Sequence, residues 1–156
     1  MRIVIDTNIW VSGLLWKGDA WRLLNFAEQG KVELCIAYPM LLELEEVLGY
    51  DHLQNRLSIL QQTPAQLAAF ALSISTAFDV SRNDTPIIVE ADPDDDIFLL
   101  CAAKANAIYV VSSDRHLLTL KTYRDIAIVT LENFLERELG KLNAKEQGDE
   151  DVQAKG

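Results

Sequence analysis

The sequence predicts an α/β domain, a three-layer α/β/α sandwich with a mostly parallel central sheet. Short apolar runs that are rich in β-branched residues and lack strict polar alternation are typical of strands buried on both faces. Segments with helical periodicity separate these runs, and that alternation is typical of a parallel sheet covered by helices. The 156 residues, 49% of them hydrophobic, suffice for one such domain with a sizeable core.

The first elements are a strand, a helix and a second strand. Residues 2–5 (RIVI) predict a buried strand that stops at turn- and cap-forming residues. Asp19 is suited to cap a helix over residues 20–29, and Gly30 to end it. An apolar run over residues 32–37 predicts the next strand.

Three helices follow before the middle of the chain. Pro39 suits the first turn of a helix that continues to Gly49, because a helix needs no backbone N–H at that position. A shorter helix is expected over residues 51–60. Thr63-Pro64 opens a third, AQLAAFALSISTAF, and extended pieces are expected at Val80 and over residues 87–89.

The second half repeats the alternation. An acidic run leads into a buried helix, IFLLCAAKA, and residues 108–111 form an apolar strand. A short helix (RHLLTL), a strand over 126–129 and a helix over 131–139 complete the predicted domain, residues 1–139. Residues 140–156 are polar and lack aromatic residues, so we expect a mobile C-terminal tail.

Composition narrows the class of protein. With 14 basic and 24 acidic residues, the formal net charge is −10, which argues against a simple electrostatic nucleic-acid binder. Cys35 and Cys101 lie in apolar stretches and predict buried thiols rather than a zinc site. With neither a leader segment nor a membrane-spanning apolar run, we expect a cytoplasmic protein that does not enter a membrane.

Acidic residues follow the predicted strands where ligands bind in such folds. Asp6 follows the first strand, Asp114 follows the strand over 108–111, and the run from Asp92 to Asp96 precedes a helix. In open α/β sheets the ligand site lies outside the carboxyl ends of the strands. Clustered carboxylates repel one another unless a cation binds, and hard oxygen ligands favour Mg²⁺ or Mn²⁺. The pattern predicts a divalent-metal site.

Each acid also has a structural interpretation. Asp6 and Asp114 can be helix caps, and the acids of the run from Asp92 can stabilise a helix N-terminus. Glu43 and Glu45 flank opposite sides of the apolar stripe of their helix, so helical periodicity does not choose between them. At this level the alternatives stay open.

Three segments carry a family resemblance: IVIDTNIWVSGLLW, PMLLELEEVL, and DPDDDIFLLCAAKANAIYVVSSDRHLL from Asp92. Together they resemble the PIN domain family, most closely its branch of toxin-like components of toxin and antitoxin pairs. The resemblance spans about residues 1–136, in order and at suitable spacing. It implies a PIN-like fold with a small acidic pocket, and a ribonuclease that depends on Mg²⁺ or Mn²⁺.

The resemblance also assigns residues to roles. The catalytic and metal-binding acids would be Asp6, Glu43, Asp95 and Asp114, with Asp96 as a neighbouring ligand and Asp95 favoured as the direct one. Supporting positions that orient ligands or bound water would be Thr7, Asn8, Asp92 and Ser112. The chain departs from the pattern at Ser113, where the family often has glycine, and at His116, which replaces a frequent acid.

RNA contacts and partners remain expectations. Four scattered cations are candidates for phosphate contacts, although each also suits a solvated surface: Lys17, Arg22, Lys104 and Arg115. Among the tryptophans, a dimer or partner contact is favoured over base stacking for Trp16 and Trp21. A homodimer and a small antitoxin protein are the expected partners. The alternatives are a catalytically silent module that binds RNA or protein, and a Mg²⁺-binding phosphoacceptor domain.

Overall fold

The computed structural model describes residues 1–80 and 95–154 of the chain, with side chains up to residue 143. The strands are β1 (Arg2–Ile5), β2 (Glu33–Ala37), β3 (Ser75–Phe78), β4 (Tyr109–Val111), β5 (Thr122–Tyr123) and β6 (Ile126–Val129). The helices are α1 (Thr7–Leu15), α2 (Asp19–Glu28), α3 (Tyr38–Leu48), α4 (Gln54–Leu60), α5 (Pro64–Ser73), α6 (Asp96–Lys104), α7 (Arg115–Leu120) and α8 (Leu131–Ala154), with a 3₁₀ turn over Asp51–Leu53.

The described strands form one sheet in the order β3-β2-β1-β4-β6-β5. All neighbouring strands are parallel except β5, which pairs antiparallel with β6. β1 and β4 lie side by side in the centre, with Ile5 opposite Val111. The carboxyl ends of these two strands therefore meet at one edge of the sheet, and the chain segments that follow them lie next to each other.

Helices cover both faces of this sheet. Successive residues of a strand point to opposite faces, and Ile3, Val4 and Ile5 of β1 are all buried, as is the whole of β4. A strand that is buried on both faces requires a layer on each side. The predicted three-layer α/β/α sandwich with a mostly parallel sheet is confirmed.

The buried thiols predicted at Cys35 and Cys101 are also confirmed. Cys35 lies in β2 and Cys101 in α6, and both are almost completely inaccessible to solvent. Burial raises the pKa of Cys35 to about 11 and that of Cys101 to about 12, because the thiolate loses its hydration. Both side chains are therefore neutral at physiological pH.

The structure contradicts two of the predicted helix bounds here and contains two elements that were not predicted. The segment after Asp6 is helix α1, which the sequence analysis did not assign. The predicted helix from Thr63-Pro64 ends at Ser73, and its last part is the edge strand β3. The short strand β5 was not predicted. Asp19 is the first residue of α2 rather than its cap, which is Gly18.

Other local signals were interpreted correctly. Thr63 Oγ1 accepts from Gln66 N at 3.1 Å, and Gln66 Oε1 accepts in return from Thr63 N at 2.9 Å, which caps α5. Gly30 follows α2 with φ +77°, a conformation that favours glycine at the end of a helix. The extended piece expected over residues 87–89, together with Asp92 and Asp94, lies outside the described residues.

The last helix is longer than predicted. α8 continues past residue 139 to Ala154, and Leu142 is buried with only 1% of its surface exposed. Tyr109 of β4 donates a hydrogen bond to the buried Glu138 Oε1 at 2.8 Å, and Phe134 packs edge-on against the Tyr109 ring. These contacts attach α8 to the sheet. The helix end predicted near residue 139 was wrong, and the predicted tail begins with residues that pack on the domain.

Candidate active site

A cavity of about 190 Å³ opens at the carboxyl edge of β1 and β4. Residues from four separate segments line it: Asp6, Thr7, Asn8, Glu43, Val47, Asp95, Phe98 and Asp114. Four of the eight are the acids that the sequence analysis selected. The chain brings them together because β1 and β4 are neighbours and because α3 and α6 begin beside the same edge.

Asp6 is the most firmly held of these acids. It is 4% exposed and directly follows β1, where its side chain caps α1: Oδ1 accepts from Ile9 N at 2.9 Å. Oδ2 accepts from Ser112 Oγ at 2.7 Å and from Ser113 N at 2.8 Å. Both carboxylate oxygens therefore have fixed positions at the base of the cavity.

Ser112 connects two of the acids. Its hydroxyl donates to Asp6 Oδ2 and accepts from Asp114 N at 2.9 Å, and the residue is 1% exposed. Asp114 in turn caps α7, with Oδ1 accepting from His116 N at 2.7 Å and from Leu117 N at 3.3 Å. A single buried hydroxyl thus sets the position of the loop after β4 relative to the end of β1.

Glu43 reaches the cavity from α3. Thr7 Oγ1 donates to Glu43 Oε2 at 3.1 Å, so the start of α1 orients this carboxylate. Val47, four residues further along α3, lies on the same helix face and also lines the cavity. Glu45 is exposed and is not part of the wall. The structure places Glu43 on the cavity side of α3, which helical periodicity left undecided.

Asp95 stands at the N-cap position of α6 and lines the cavity. Phe98, three residues later, contributes an apolar part of the same wall. Asp96 is buried in the first turn of α6 and does not line the cavity. Asp92 lies outside the described residues.

The sequence analysis missed three residues of the site: Val47, Phe98 and Ser113. The first two are detectable only from their helical spacing to Glu43 and Asp95. Ser113 was noted as a departure from the family pattern, yet its backbone N–H is one of the groups that hold Asp6. A backbone contact of this kind leaves no signal in the sequence.

The chemistry of the cavity suits a hydrated divalent ion. Four carboxylates offer the hard oxygen atoms that Mg²⁺ prefers, and a cavity of about 190 Å³ has room for an ion together with several waters. Although these acids line one cavity, no three of the metal-ligating side chains in the described part of the chain lie close enough together to form a tight metal-binding group. Mg²⁺ usually keeps several of its waters, so carboxylates spread around a wall of this width still fit it.

The four candidate cations lie elsewhere. None of them lines the cavity in the regions that the structure describes. Lys17, Arg22 and Arg115 are exposed, and Lys104 is at the far end of α6 from Asp95, about 13 Å along the axis. Of the tryptophans, Trp10 is buried in the core, whereas Trp16 and Trp21 are exposed.

No helix in the described residues combines the length and apolar character needed to cross a bilayer. No curated protein matches the chain. Among solved structures, the chain is similar to the crystal structure of VapBC2 from Rickettsia felis bound to a DNA fragment from the VapBC2 promoter. The identity is 18% and the TM-score 0.54, over 82% of this chain and 97% of the other. The PIN domain family matches residues 2–116. The chain belongs to the PIN domain family.

Proposed function

We propose that this protein is a divalent-metal-dependent endoribonuclease. The observation that carries the proposal is the convergence of Asp6, Glu43, Asp95 and Asp114 on one cavity from four separate segments. Membership of the PIN domain family supports a nuclease. Mg²⁺ or Mn²⁺ is the proposed cofactor, and RNA the proposed substrate.

The four acids would hold the metal, with Asp95 as the ligand from α6 and Asp96 as its neighbour. A bound divalent ion would polarise the phosphodiester and activate a water molecule. The chain itself orients the ligands: Thr7 holds Glu43, and Ser112 and Ser113 hold Asp6. The metal would also offset the acidic charge of the cavity, so that a phosphate group can approach.

The biological role that we propose is the toxin component of a toxin and antitoxin pair. The similar structure from Rickettsia felis is described as VapBC2 bound to promoter DNA, and it shares the fold of this chain. A small antitoxin protein is therefore the proposed partner, and a homodimer the proposed assembly. A basic segment of such a partner would be attracted to the acidic cavity.

A second candidate is a catalytically silent PIN domain that binds RNA or a protein. The observation in its favour is that the acids of the described chain do not form a tight metal-ligating cluster. The two candidates differ in one measurable property. A silent domain cleaves no RNA with any divalent metal, whereas the proposed enzyme cleaves RNA only when a divalent metal is present.

The test is cleavage of a mixed single-stranded RNA with Mn²⁺, with Mg²⁺ and with a chelator. Glu43→Gln removes the negative charge of a proposed ligand and keeps the shape of the side chain. Glu46→Gln is the matched control, because Glu46 is exposed on the same helix. We expect metal-dependent cleavage that Glu43→Gln abolishes and Glu46→Gln preserves. Absence of cleavage by the wild-type protein, despite measured Mn²⁺ binding, would favour the silent domain.

A further inference from the structure

A groove of about 410 Å³ adjoins the acidic cavity, and Asn8 lines both. Ser112 and Ser113, which hold Asp6, also form part of the groove wall. Ser12 lies on the same face of α1 as Asn8, one turn further along, and lines the groove as well. The groove therefore leads away from the cavity along α1.

The wall of this groove differs chemically from the cavity. Aliphatic side chains contribute most of its surface, among them Ile9, Leu118 and Leu131. Ser12 supplies a hydroxyl group, and Glu132 in the first turn of α8 is the one charged residue that the described chain contributes. A wall without cations offers nothing to neutralise a phosphate, but it suits an uncharged ring with polar edges.

We propose that this groove binds an unpaired nucleobase of the RNA, next to the phosphodiester held at the acidic cavity. The proposal rests on the ribonuclease function proposed above. In single-stranded RNA the bases are free to turn out and lie against a protein surface, whereas in a duplex they stay stacked and paired. The Glu132 carboxylate accepts hydrogen bonds, so it favours a base with an exocyclic amino group, such as cytosine, over uracil.

Filling the groove tests the proposal. Ser12 is exposed, and Ser12→Trp places a large ring in the groove without touching the four acids. Ser58→Trp is the matched control, because Ser58 is exposed on α4 and lines neither the cavity nor the groove. The affinity of the protein for RNA is measured with Ca²⁺ present, from the anisotropy of a short labelled RNA that is either single-stranded or in a duplex. A denaturing gel verifies that the RNA is intact.

We expect the wild-type protein and Ser58→Trp to prefer the single strand. Ser12→Trp should weaken single-strand binding at least about fivefold, because a base excluded from the groove forfeits the burial of roughly 40 Å² of apolar surface or more, and leave Mn²⁺ affinity unchanged. Glu132→Gln should reduce the preference for oligocytidylate over oligouridylate. Equal RNA affinity of Ser12→Trp and wild type would overturn the proposal and leave the groove to a protein segment.

The experiments give different results depending on whether the ribonuclease proposal or the nucleobase proposal fails. A wild-type protein that binds single-stranded RNA through the groove but never cleaves it would disprove the ribonuclease and keep the nucleobase site. Metal-dependent cleavage with unchanged RNA affinity in Ser12→Trp would keep the ribonuclease and disprove the nucleobase site. A wild-type protein that binds no RNA at all would overturn both.

Discussion

The Asp6→Asn substitution tests the hydrogen-bond network at the base of the cavity. In the wild-type protein, Oδ1 accepts from Ile9 N, and Oδ2 accepts from Ser112 Oγ and Ser113 N. Asparagine keeps the shape of the side chain but replaces one acceptor oxygen with an NH₂ donor. Whichever way the amide turns, this NH₂ group faces a backbone N–H, and no rotation satisfies both sides.

The cheaper orientation keeps the oxygen toward Ser112 and Ser113 and gives up the cap of α1. Loss of an N-cap costs about 1 kcal/mol. The two remaining hydrogen bonds lose their charge, and each weakens by about 1 kcal/mol. We therefore expect Asp6→Asn to lower the free energy of unfolding by about 3 kcal/mol, a large share of the roughly 5–15 kcal/mol typical of a folded domain.

Asp114→Asn is the matched comparison on the same cavity. Both donors to Asp114, His116 N and Leu117 N, bind the same oxygen, Oδ1. An asparagine can leave its oxygen there and turn its NH₂ away, so we expect a loss below about 1 kcal/mol. Each substitution also removes one negative charge from an acidic cavity, so the accompanying relief of repulsion affects both variants in the same direction.

Urea unfolding with a chelator present measures both effects. With a slope of about 2 kcal/mol per molar urea, Asp6→Asn should lower the midpoint by about 1.5 M and Asp114→Asn by less than about 0.5 M. Equal midpoints for the two variants would refute the reasoning from the hydrogen bonds. If the difference is found, Asp114→Asn is the better substitution for activity tests, because its effect on folding is small.

Four further outcomes follow from the hydrogen bonds and the buried side chains of the structure. Ser112→Ala removes the hydroxyl that joins Asp6 to Asp114 N, so it should cost about 2–4 kcal/mol in urea unfolding, whereas Ser112→Thr keeps the hydroxyl and should recover most of it. A truncation that ends just before Leu142 should lose about 2–3 kcal/mol relative to one that ends just after it, because it removes a leucine whose side chain is 1% exposed in the fold; equal stability would support a domain boundary at 139. Because burial raises the pKa values of Cys35 and Cys101 to about 11 and 12, the folded protein should resist a thiol reagent at pH 8. Stability should fall as the pH rises above about 9, where the unfolded thiols ionise first.

The central strands of the fold were predictable because they are buried on both faces. Apart from Arg2 and Glu33 at the first positions of β1 and β2, the strands β1, β2, β4 and β6 are apolar runs, and such runs can be recognised without tertiary information. β3 is an edge strand whose residues are mostly half-buried, so the apolar signal is weak there and the preceding helix pattern appeared to continue. In α1, TNIWVSGLL, the apolar residues stand in the runs IWV and LL rather than at helical spacing, so no apolar face distinguishes the segment from a strand or loop.

The site was predictable to the level of the strand ends. The rule that ligands bind at the carboxyl edge of the sheet selected Asp6 and Asp114, and the cavity lies there. Glu43 was chosen over Glu45 by family resemblance alone, because both flank the apolar stripe of α3. The role of each acid in binding a metal is still a prediction, since the structure establishes their proximity and not their chemistry.

The structural and functional interpretations of these acids do not exclude each other. Asp6 caps α1, Asp114 caps α7, and Asp95 occupies the N-cap position of α6. Helix N-termini carry partial positive charge and unsatisfied backbone N–H groups, so they favour a nearby carboxylate. The helices α1 and α6 thereby offset part of the repulsion that a cluster of acids creates. A protein built in this way can fold before any metal binds, which is why the cap signals in the sequence are equally compatible with a structural role and with a metal site.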